Sequence, residues 1–169
     1  MLRKISEQDL NTILQWRNQD VVRQVMFTDH VIKPEEHLKW WQQVKSDNSK
    51  LYFIFCHNDI DCGVVSFTNI EQNKSAVWGF YFKNLDHLTA LERFRITHTM
   101  ETEAINYAFQ HLKITVLKCA VFKFNQVIIK IHTRFGFKET KRYLMQKNNQ
   151  PEWVIEMSLT KQQWFSKTP

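Results

Sequence analysis

Glycine and proline are scarce in this chain, which has three of each among its 169 residues. The sequence therefore lacks the composition of repetitive, low-complexity or linker-rich proteins, and nothing divides it into separate units. No apolar run approaches the roughly 18 residues that a membrane-spanning helix needs, so no membrane partner is expected. The length suits one compact domain with a proper core, and we predict a single domain over residues 1–169.

Cysteine is also sparse, and its three copies, Cys56, Cys62 and Cys119, form no CxxC pair. With no recognisable secretory signal at the start of the sequence, this pattern predicts reduced thiols in a cytoplasmic protein. Cys56, His57 and Cys62 do not have the usual spacing of zinc ligands and lack a fourth partner. We therefore predict no metal site.

Basic clusters are missing, although the formal net charge is +6 and the pI is about 9.3. A basic surface favours a polyanionic partner, such as nucleic acid, an anionic membrane or a phosphate-rich small molecule. The densest basic stretch is KETKR at 138–142, and there is neither a basic tail nor a stripe, so nucleic acid is not expected. Aromatic residues are abundant at 14%, which indicates either a rigid core or an aromatic-lined pocket.

Hydrophobic periodicity predicts an α/β fold, in which helices flank a mixed central sheet. Ser6 and Asp9 form a capping-box-like start for the first helix, a second short helix ends near Met26, and Pro34 opens a third. The strands are predicted at 1–5, 51–56, 62–70, 75–82 and 114–122, followed by a hairpin of 138–146 and 153–160. A long helix is predicted from about Ile96 to Leu112, another from Asn125 to Gly136, and a helical turn in the tail at 160–169.

Strand 75–82 and the helix that follows it are the part of the pattern that predicts a binding site. A strand–loop–helix unit places helix N-terminal amides at the end of a sheet, where they can bind a pyrophosphate. The stretch LTALERFRITHT at 88–99 occupies that loop and contains no glycine.

Two motifs resemble the GNAT superfamily of N-acetyltransferases. INYAFQHLKITVLKCAVFKFN, at 105–125, is similar to its run from the cofactor helix into the next strand. NQVIIKIHTRFGFKET, at 125–140, is similar to its following helix and Gly-Phe turn. Within the superfamily, WRNQDVVRQVMF at 16–27 and EEHLKWW at 35–41 resemble the bacterial nucleotide-sugar acetyltransferases of pseudaminic acid biosynthesis. Those enzymes acetylate the 4-amino group of a UDP-linked dideoxy sugar.

The resemblance implies a fold and a reaction. It implies a GNAT-like domain with acetyl-CoA as co-substrate, a UDP-amino sugar as small-molecule substrate and direct attack by the amine in a ternary complex. It is also compatible with a homodimer. The alternatives are acetylation of a protein N-terminus or a small amine, and a catalytically silent fold-mate that only binds.

The resemblance also implies cofactor contacts. The backbone of the strand WGFYF and the start of the next helix would hold acetyl-CoA, which assigns Phe80, Tyr81, Phe82, Arg93, Arg95, Ile96, Thr97 and Asn125. The family places Arg or Gln, Gly, and Gly or Ala where this chain has Glu92, Arg95 and Thr97. Helix-start amides and arginine side chains would then replace glycine, and Thr97 could alternatively be the helix N-cap.

Catalytic and substrate residues follow from the same resemblance. His132 stands where the family has a tyrosine that donates a proton to the leaving thiolate; the alternative is a partly buried histidine on an amphipathic helix. Ser66 could relay a proton from the amine through water, or be an ordinary strand serine. Arg17 would contact a nucleotide phosphate or hold the substrate loop; the alternative is a structural salt bridge. Met26, Phe27, Trp40 and Trp78 would line a pocket for a uracil ring and a deoxy-sugar methyl group, or pack in the core.

Overall fold

A computed structural model of the chain describes residues 1–166, so the last three residues of the predicted tail helix lie outside the described part. The strands are β1 Leu2–Lys4, β2 Leu51–His57, β3 Ile60–Glu71, β4 Ser75–Phe82, β5 Val116–Phe122, β6 Lys138–Lys147 and β7 Gln150–Thr160. The helices are α1 Leu10–Arg17, α2 Asp20–Arg23, α3 Pro34–Ser46, α4 Ala90–Gln110, α5 Gln126–Phe135 and α6 Lys161–Phe165, with a 3-10 turn at Glu7–Asp9 before α1.

The seven strands form one mixed sheet in the order β1-β2-β3-β4-β5-β7-β6. Neighbouring strands are antiparallel except β4 and β5, which are parallel. The parallel pair is joined by the long helix α4, as a right-handed strand–helix–strand crossover requires a helix-length connection. The predicted α/β class, the central meander and the final hairpin are confirmed.

The main core lies between the sheet and α4. Met100, Ala104 and Ala108 of α4 are fully buried at helical spacing, and the two alanines let the helix approach the sheet closely. The largest fully buried side chains include five phenylalanines: Phe55, Phe67, Phe109, Phe122 and Phe137. A smaller cluster on the α1 side contains Ile13, Ile54 and Val64. Much of the aromatic content is therefore core.

The scarcity of glycine is met by asparagine in the turns. Asn58, Asn69, Asn73, Asn148 and Asn149 all have positive φ, a conformation that asparagine tolerates better than most residues. Gly136 is used where a helix must end, with φ 102° after α5. Gly63 is used for close approach, because a Cβ there would lie 2.3 Å from the carbonyl oxygen of Tyr81.

The predicted start of α4 near Ile96 is wrong, because the helix begins at Ala90. Thr89 is the N-cap: its Oγ1 accepts from the Glu92 amide at 3.3 Å. The Glu92 carboxylate in turn accepts from the Thr89 amide at 2.8 Å and the Thr89 hydroxyl at 2.7 Å. This reciprocal capping box starts the helix six residues earlier than predicted, at Ala90 and not Ile96, so Thr97 is not an N-cap.

Smaller differences concern α2 and the cysteines. The second helix is shorter than predicted, since α2 ends at Arg23 and not near Met26. Cys56, Cys62 and Cys119 are all free and buried. Within residues 1–166, no helix is both long and apolar enough to cross a membrane.

Candidate active site

A cleft opens in the sheet where β4 and β5 separate. Their parallel pairing covers only Ser75–Val77 with Val116–Lys118, yet both strands continue, to Phe82 and Phe122. Beyond Val77 the edge of β4 that faces β5 therefore has no strand partner, and its backbone groups are available to a ligand. A cavity of about 1030 Å³ occupies the gap, and Gly79, Phe80, Cys119 and Ala120 are among its lining residues.

His132 lies at the floor of this cleft, on α5. Its ring is only 2% exposed and contacts the rings of Trp78 at 5.4 Å and Phe137 at 5.2 Å between centroids. Nδ1 of His132 is hydrogen-bonded to Oε1 of Glu101 at 2.6 Å. Since a carboxylate accepts, Nδ1 carries the proton, and Nε2 is left as the second titrating nitrogen.

Glu101 is fully buried on α4 and reverses the effect of burial on His132. Burial alone would lower the pKa of His132, but the nearby Cys119 sulfur and the Glu101 carboxylate outweigh it and raise the pKa to about 10. The imidazolium is therefore the resting form of His132 at neutral pH, although burial by itself favours the neutral ring. Stabilisation from the pair is complete below about pH 6.5 and is lost as the pH rises through about 10.

Two buried polar atoms beside His132 have no hydrogen-bond partner within residues 1–166. These are Oε2 of Glu101 and Nε1 of Trp78, an acceptor and a donor. Trp78 also lines the cleft. Buried polar atoms are normally satisfied, so unpaired ones at a cleft are expected where a ligand or water completes the site.

The end of the cleft at which the sequence predicts phosphate binding, called the phosphate end below, is formed by the start of α4. Ala90 and Arg93 line the cleft there. The amides of Ala90 and Leu91 have no intrahelical partner, as for the first residues of any helix, while the Glu92 and Arg93 amides bond to Thr89. The Glu92 carboxylate already occupies part of this positive helix end, so the site has fewer free amides than a glycine-rich loop offers.

The predicted cofactor residues divide into two groups. Phe80, Tyr81, Phe82, Arg93, Thr97 and Asn125 line the cleft. Arg95 is exposed outside the cleft lining, and Ile96 is 6% exposed and packs in the main core. Both lie within α4, because the stretch 88–99 that the sequence predicts as a loop is helical from Ala90 onward. Asn125 precedes α5 as predicted, although its side chain makes no capping hydrogen bond.

Ser66 faces the cleft from β3. Its hydroxyl donates to the carbonyl oxygen of Gly79 at 3.2 Å, on the strand that carries the unpaired edge. Gly79 has no side chain to cover this point, and a Cβ there would lie 3.7 Å from Ser66 Oγ. The hydroxyl lone pairs therefore remain available to a proton donor in the cleft.

The other half of the cleft is closed by the loop 24–33 between α2 and α3. Arg17 Nη2 donates to the Thr28 carbonyl at 2.6 Å, and the Asn18 side chain exchanges two 2.8 Å bonds with the Ile32 backbone. Lys147, only 5% exposed, donates to the carbonyls of Met26 at 2.8 Å and Arg23 at 3.3 Å. Arg17 is thus held by backbone carbonyl contact and not by the predicted alternative of a structural salt bridge.

Arg17 and His37 each keep one nitrogen without a partner in the described chain. Both are buried and line the cleft, and the unpaired atoms are Arg17 Nη1 and His37 Nε2. Burial lowers the pKa of both groups. The guanidinium of Arg17 remains a cation, and His37 is neutral, so the pair offers one charged and one uncharged polar contact.

The four predicted apolar contacts also lie in the cleft lining. Phe27 is 42% exposed and packs on Phe122 with centroids 4.9 Å apart. Trp40 stacks on His37 at 4.8 Å and meets Tyr52 edge-on at 5.0 Å. Trp78 is 3% exposed and belongs to the main core, so it forms the wall beside His132.

Glu101 and Lys147 were missed from the sequence, and only Glu101 left a signal. Glu101 falls on the apolar stripe of α4 with Met100, Ala104 and Ile105, where a charged residue needs a partner. Lys147 lies at the end of an otherwise exposed edge strand, so its pattern gives no warning of burial. Within residues 1–166 no group of His, Cys, Asp and Glu suits a metal ion.

Comparison with known proteins defines the class of this chain. Residues 1–138 match the acetyltransferase (GNAT) domain family, and the chain therefore belongs to that family. It is an acyltransferase, and acetyl-CoA is the co-substrate of the family, as predicted.

The chain is similar in particular to acetyltransferase PseH of Campylobacter jejuni subsp. jejuni serotype O:23/36 (strain 81-176). The two are 33% identical over 135 residues, covering 79% of this chain and 80% of that protein. The crystal structure of Campylobacter jejuni PseH in complex with acetyl coenzyme A has a TM-score of 0.68 at 25% identity, covering 95% of this chain and 98% of that chain. Spermidine N-acetyltransferase of Vibrio cholerae shares the fold, with a TM-score of 0.86 at 18% identity over 98% of this chain and 97% of that chain.

Proposed function

We propose that this enzyme transfers the acetyl group of acetyl-CoA to the amino group of a nucleotide-linked amino-deoxy sugar, by direct attack in a ternary complex. The observation that carries the proposal is the acceptor half of the cleft. There Arg17 and His37 line a pocket with unpaired nitrogens, next to the aromatic wall of Trp40. A buried guanidinium with one unpaired nitrogen, Nη1, suits the diphosphate of a nucleotide.

The remaining acceptor contacts suit the other parts of such a molecule. The ring of Trp40 and the exposed ring of Phe27 offer apolar faces for a uracil base. Met26 and Trp78 provide further apolar surface, which would favour a deoxy-sugar methyl group over a hydroxyl. The similarity to PseH is consistent with this substrate class.

The chain's own residues supply the chemistry at the strand gap. Ser66 holds its hydroxyl at the Gly79 carbonyl and is placed to pass the amine proton to water. Unpaired backbone N–H groups of β4 are positioned to stabilise the charge that develops on the carbonyl oxygen. His132 donates a proton to the sulfur that leaves. Arg93 and the first amides of α4 hold the phosphates.

A small amine such as a polyamine is the second candidate acceptor, since small-amine acetylation is an alternative from sequence. Charge in the cleft argues against it. The lining contains the cations Arg17, Lys83 and Arg93 and the anions Glu36 and Asp86, so it is not the acidic pocket that a polycation requires. Glu36 is also engaged by His30 at 2.9 Å.

A panel of acceptors tests the proposal. The protein is incubated with acetyl-CoA and a UDP-linked 4-amino sugar, the matching UDP sugar with a hydroxyl in place of the amine, spermidine, or a peptide with a free N-terminus. Mass spectrometry of each acceptor should show acetylation of the amino sugar alone. Faster transfer to spermidine or the peptide would overturn the substrate assignment while leaving the acetyltransferase assignment intact.

Arg17→Met tests the phosphate contact within that panel. We expect KM for the nucleotide sugar to rise by roughly 10-fold or more, because a hydrogen bond to a charged group contributes about 1.5–3 kcal/mol. Arg134→Met is the matched control, since Arg134 is exposed on α5 and lies outside the main cleft. Equal KM values in the two variants would remove Arg17 from the substrate site.

A further inference from the structure

The buried contact between His132 and Glu101 has the geometry of a proton donor with a fixed counter-ion. The two side chains are 2% and 0% exposed, and the Nδ1–Oε1 distance is 2.6 Å. Glu101 comes from α4 and His132 from α5, so two separate elements bring the pair to the base of the cleft. A carboxylate this deeply buried is retained only with a partner, and His132 is its hydrogen-bond partner within residues 1–166.

We propose that Glu101 is a positioning residue, which keeps His132 as an imidazolium and orients its Nε2–H toward the leaving sulfur. The carboxylate–imidazolium pair then donates the proton that a tyrosine donates in the family pattern. The inference rests on the proposed acetyl transfer. The proton balance is simple. His132 gives its Nε2 proton to the departing thiolate, becomes neutral while Nδ1–H stays bonded to Glu101, and is recharged from solvent before the next turnover.

The other groups that face His132 are compatible with this role. The Cys119 sulfur on β5 lies near the ring and raises the pKa of His132 together with Glu101. The remaining contacts are the aromatic rings of Trp78 and Phe80 on β4 and of Phe137 after α5. These described contacts include no cation that would oppose the charge, and aromatic faces favour a neighbouring cation.

Conversion of the carboxylate to an amide isolates its charge. Glu101→Gln is nearly isosteric, and its amide oxygen can still accept from Nδ1–H, but the negative charge is gone. His132 should then lose the part of its raised pKa that comes from Glu101 and give up its proton at a lower pH than in wild type. We expect kcat of Glu101→Gln to be close to wild type at about pH 6. Once His132 of the variant has lost its proton, the ratio to wild type should fall roughly tenfold per pH unit until the wild-type His132 titrates as well.

A merely structural Glu101 gives a different result. Lost packing or stability would lower the Glu101→Gln activity by the same factor at every pH, so a constant ratio overturns the proposal. The double variant E101Q/H132Y provides the rescue. It places a phenol with an ordinary pKa of about 10 at the acid position, so its kcat should not fall between about pH 7 and 9.

The wild-type protein provides a test that needs neither a variant nor an acceptor. NMR spectra of the histidine ring nitrogens distinguish an imidazolium from a neutral ring. The His132 ring should remain protonated at about pH 8, well above the ordinary value. A neutral His132 at that pH would overturn the inference even if acetyl transfer is found. A protonated ring without transfer to any acceptor would instead mean that the proposed function has failed.

Discussion

The phosphate end of the cleft and the region of His132, called the acid end, both depart from the GNAT sequence pattern. The substituted residues have different kinds of partners at the two ends. At the phosphate end, the residues in place of glycines continue α4, and Glu92 is satisfied three residues away by Thr89. At the acid end, His132 in place of tyrosine is paired with Glu101, 31 positions away in sequence. At the start of α4 the substitution is accommodated by a local capping box. At His132 the substitution is accompanied by a buried partner from another helix. A partner that has to be kept buried and charged is the stronger sign of function.

The largest expected effect is on turnover at the acid end. His132→Asn keeps an amide near Nδ1 that can donate to Glu101, but it removes the Nε2 proton. We expect kcat to fall about 10²- to 10⁴-fold with little change in the KM for either substrate, as for loss of a general acid. Steady-state kinetics would measure it. An unchanged kcat would exclude His132 as proton donor.

The next largest effect is on the free energy of unfolding, which should differ between two substitutions of His132. His132→Phe leaves Glu101 buried without its partner, which should lower the free energy of unfolding by about 3–5 kcal/mol. His132→Asn retains a hydrogen bond and should cost less. Urea unfolding compares the two variants. Equal losses would show that the carboxylate does not depend on its partner.

The same pair predicts how stability changes with pH. The folded pKa of His132, about 10, lies above the ordinary 6.5, so folding binds a proton between these values. The pair's contribution to stability is therefore full below about pH 6.5 and declines as the pH rises through about 10. The urea midpoint of wild type should fall over this window more than that of His132→Asn. Parallel pH dependences would mean that His132 does not titrate as described.

Substitutions of Arg93 and Arg95 test which arginine contacts the phosphates at the start of α4. Arg93 lines the cleft, whereas Arg95 is exposed outside it. Arg93→Met should weaken acetyl-CoA binding about three- to tenfold, the effect of roughly 1 kcal/mol expected for an exposed ionic contact. Arg95→Met is the matched control and should leave the Kd near wild type. If calorimetric titration shows that Arg95→Met weakens binding more than Arg93→Met, Arg95 contacts the phosphates, as the alignment with the family's glycine loop predicts.

The smallest expected effect concerns the carboxylate at the start of α4. Glu92→Gln removes a negative charge close to the proposed phosphate site and should tighten acetyl-CoA binding slightly. Asp59→Asn is a control of equal charge change in the exposed β2–β3 turn, where Asn tolerates the positive φ. If both variants tighten binding equally, net charge and not the helix end is responsible.

Sequence patterns located the strands well because alternation and turn residues are local signals. The strand 75–82 was predicted with its observed bounds. The predicted start of α4 is wrong although Thr89 and Glu92 have the spacing of a capping box. The family resemblance places a phosphate-binding loop at these positions, where the local signal begins a helix. The partnership of His132 with Glu101 and the burial of Lys147 arise from tertiary packing, which no local pattern encodes.

Every step of the proposed transfer depends on a glycine-free helix start that still holds the cofactor, and calorimetry with acetyl-CoA measures that binding. We expect a single saturable site in the wild-type protein, weakened by Arg93→Met and accompanied by a rise in Tm. No heat and no thermal shift at millimolar acetyl-CoA would contradict it.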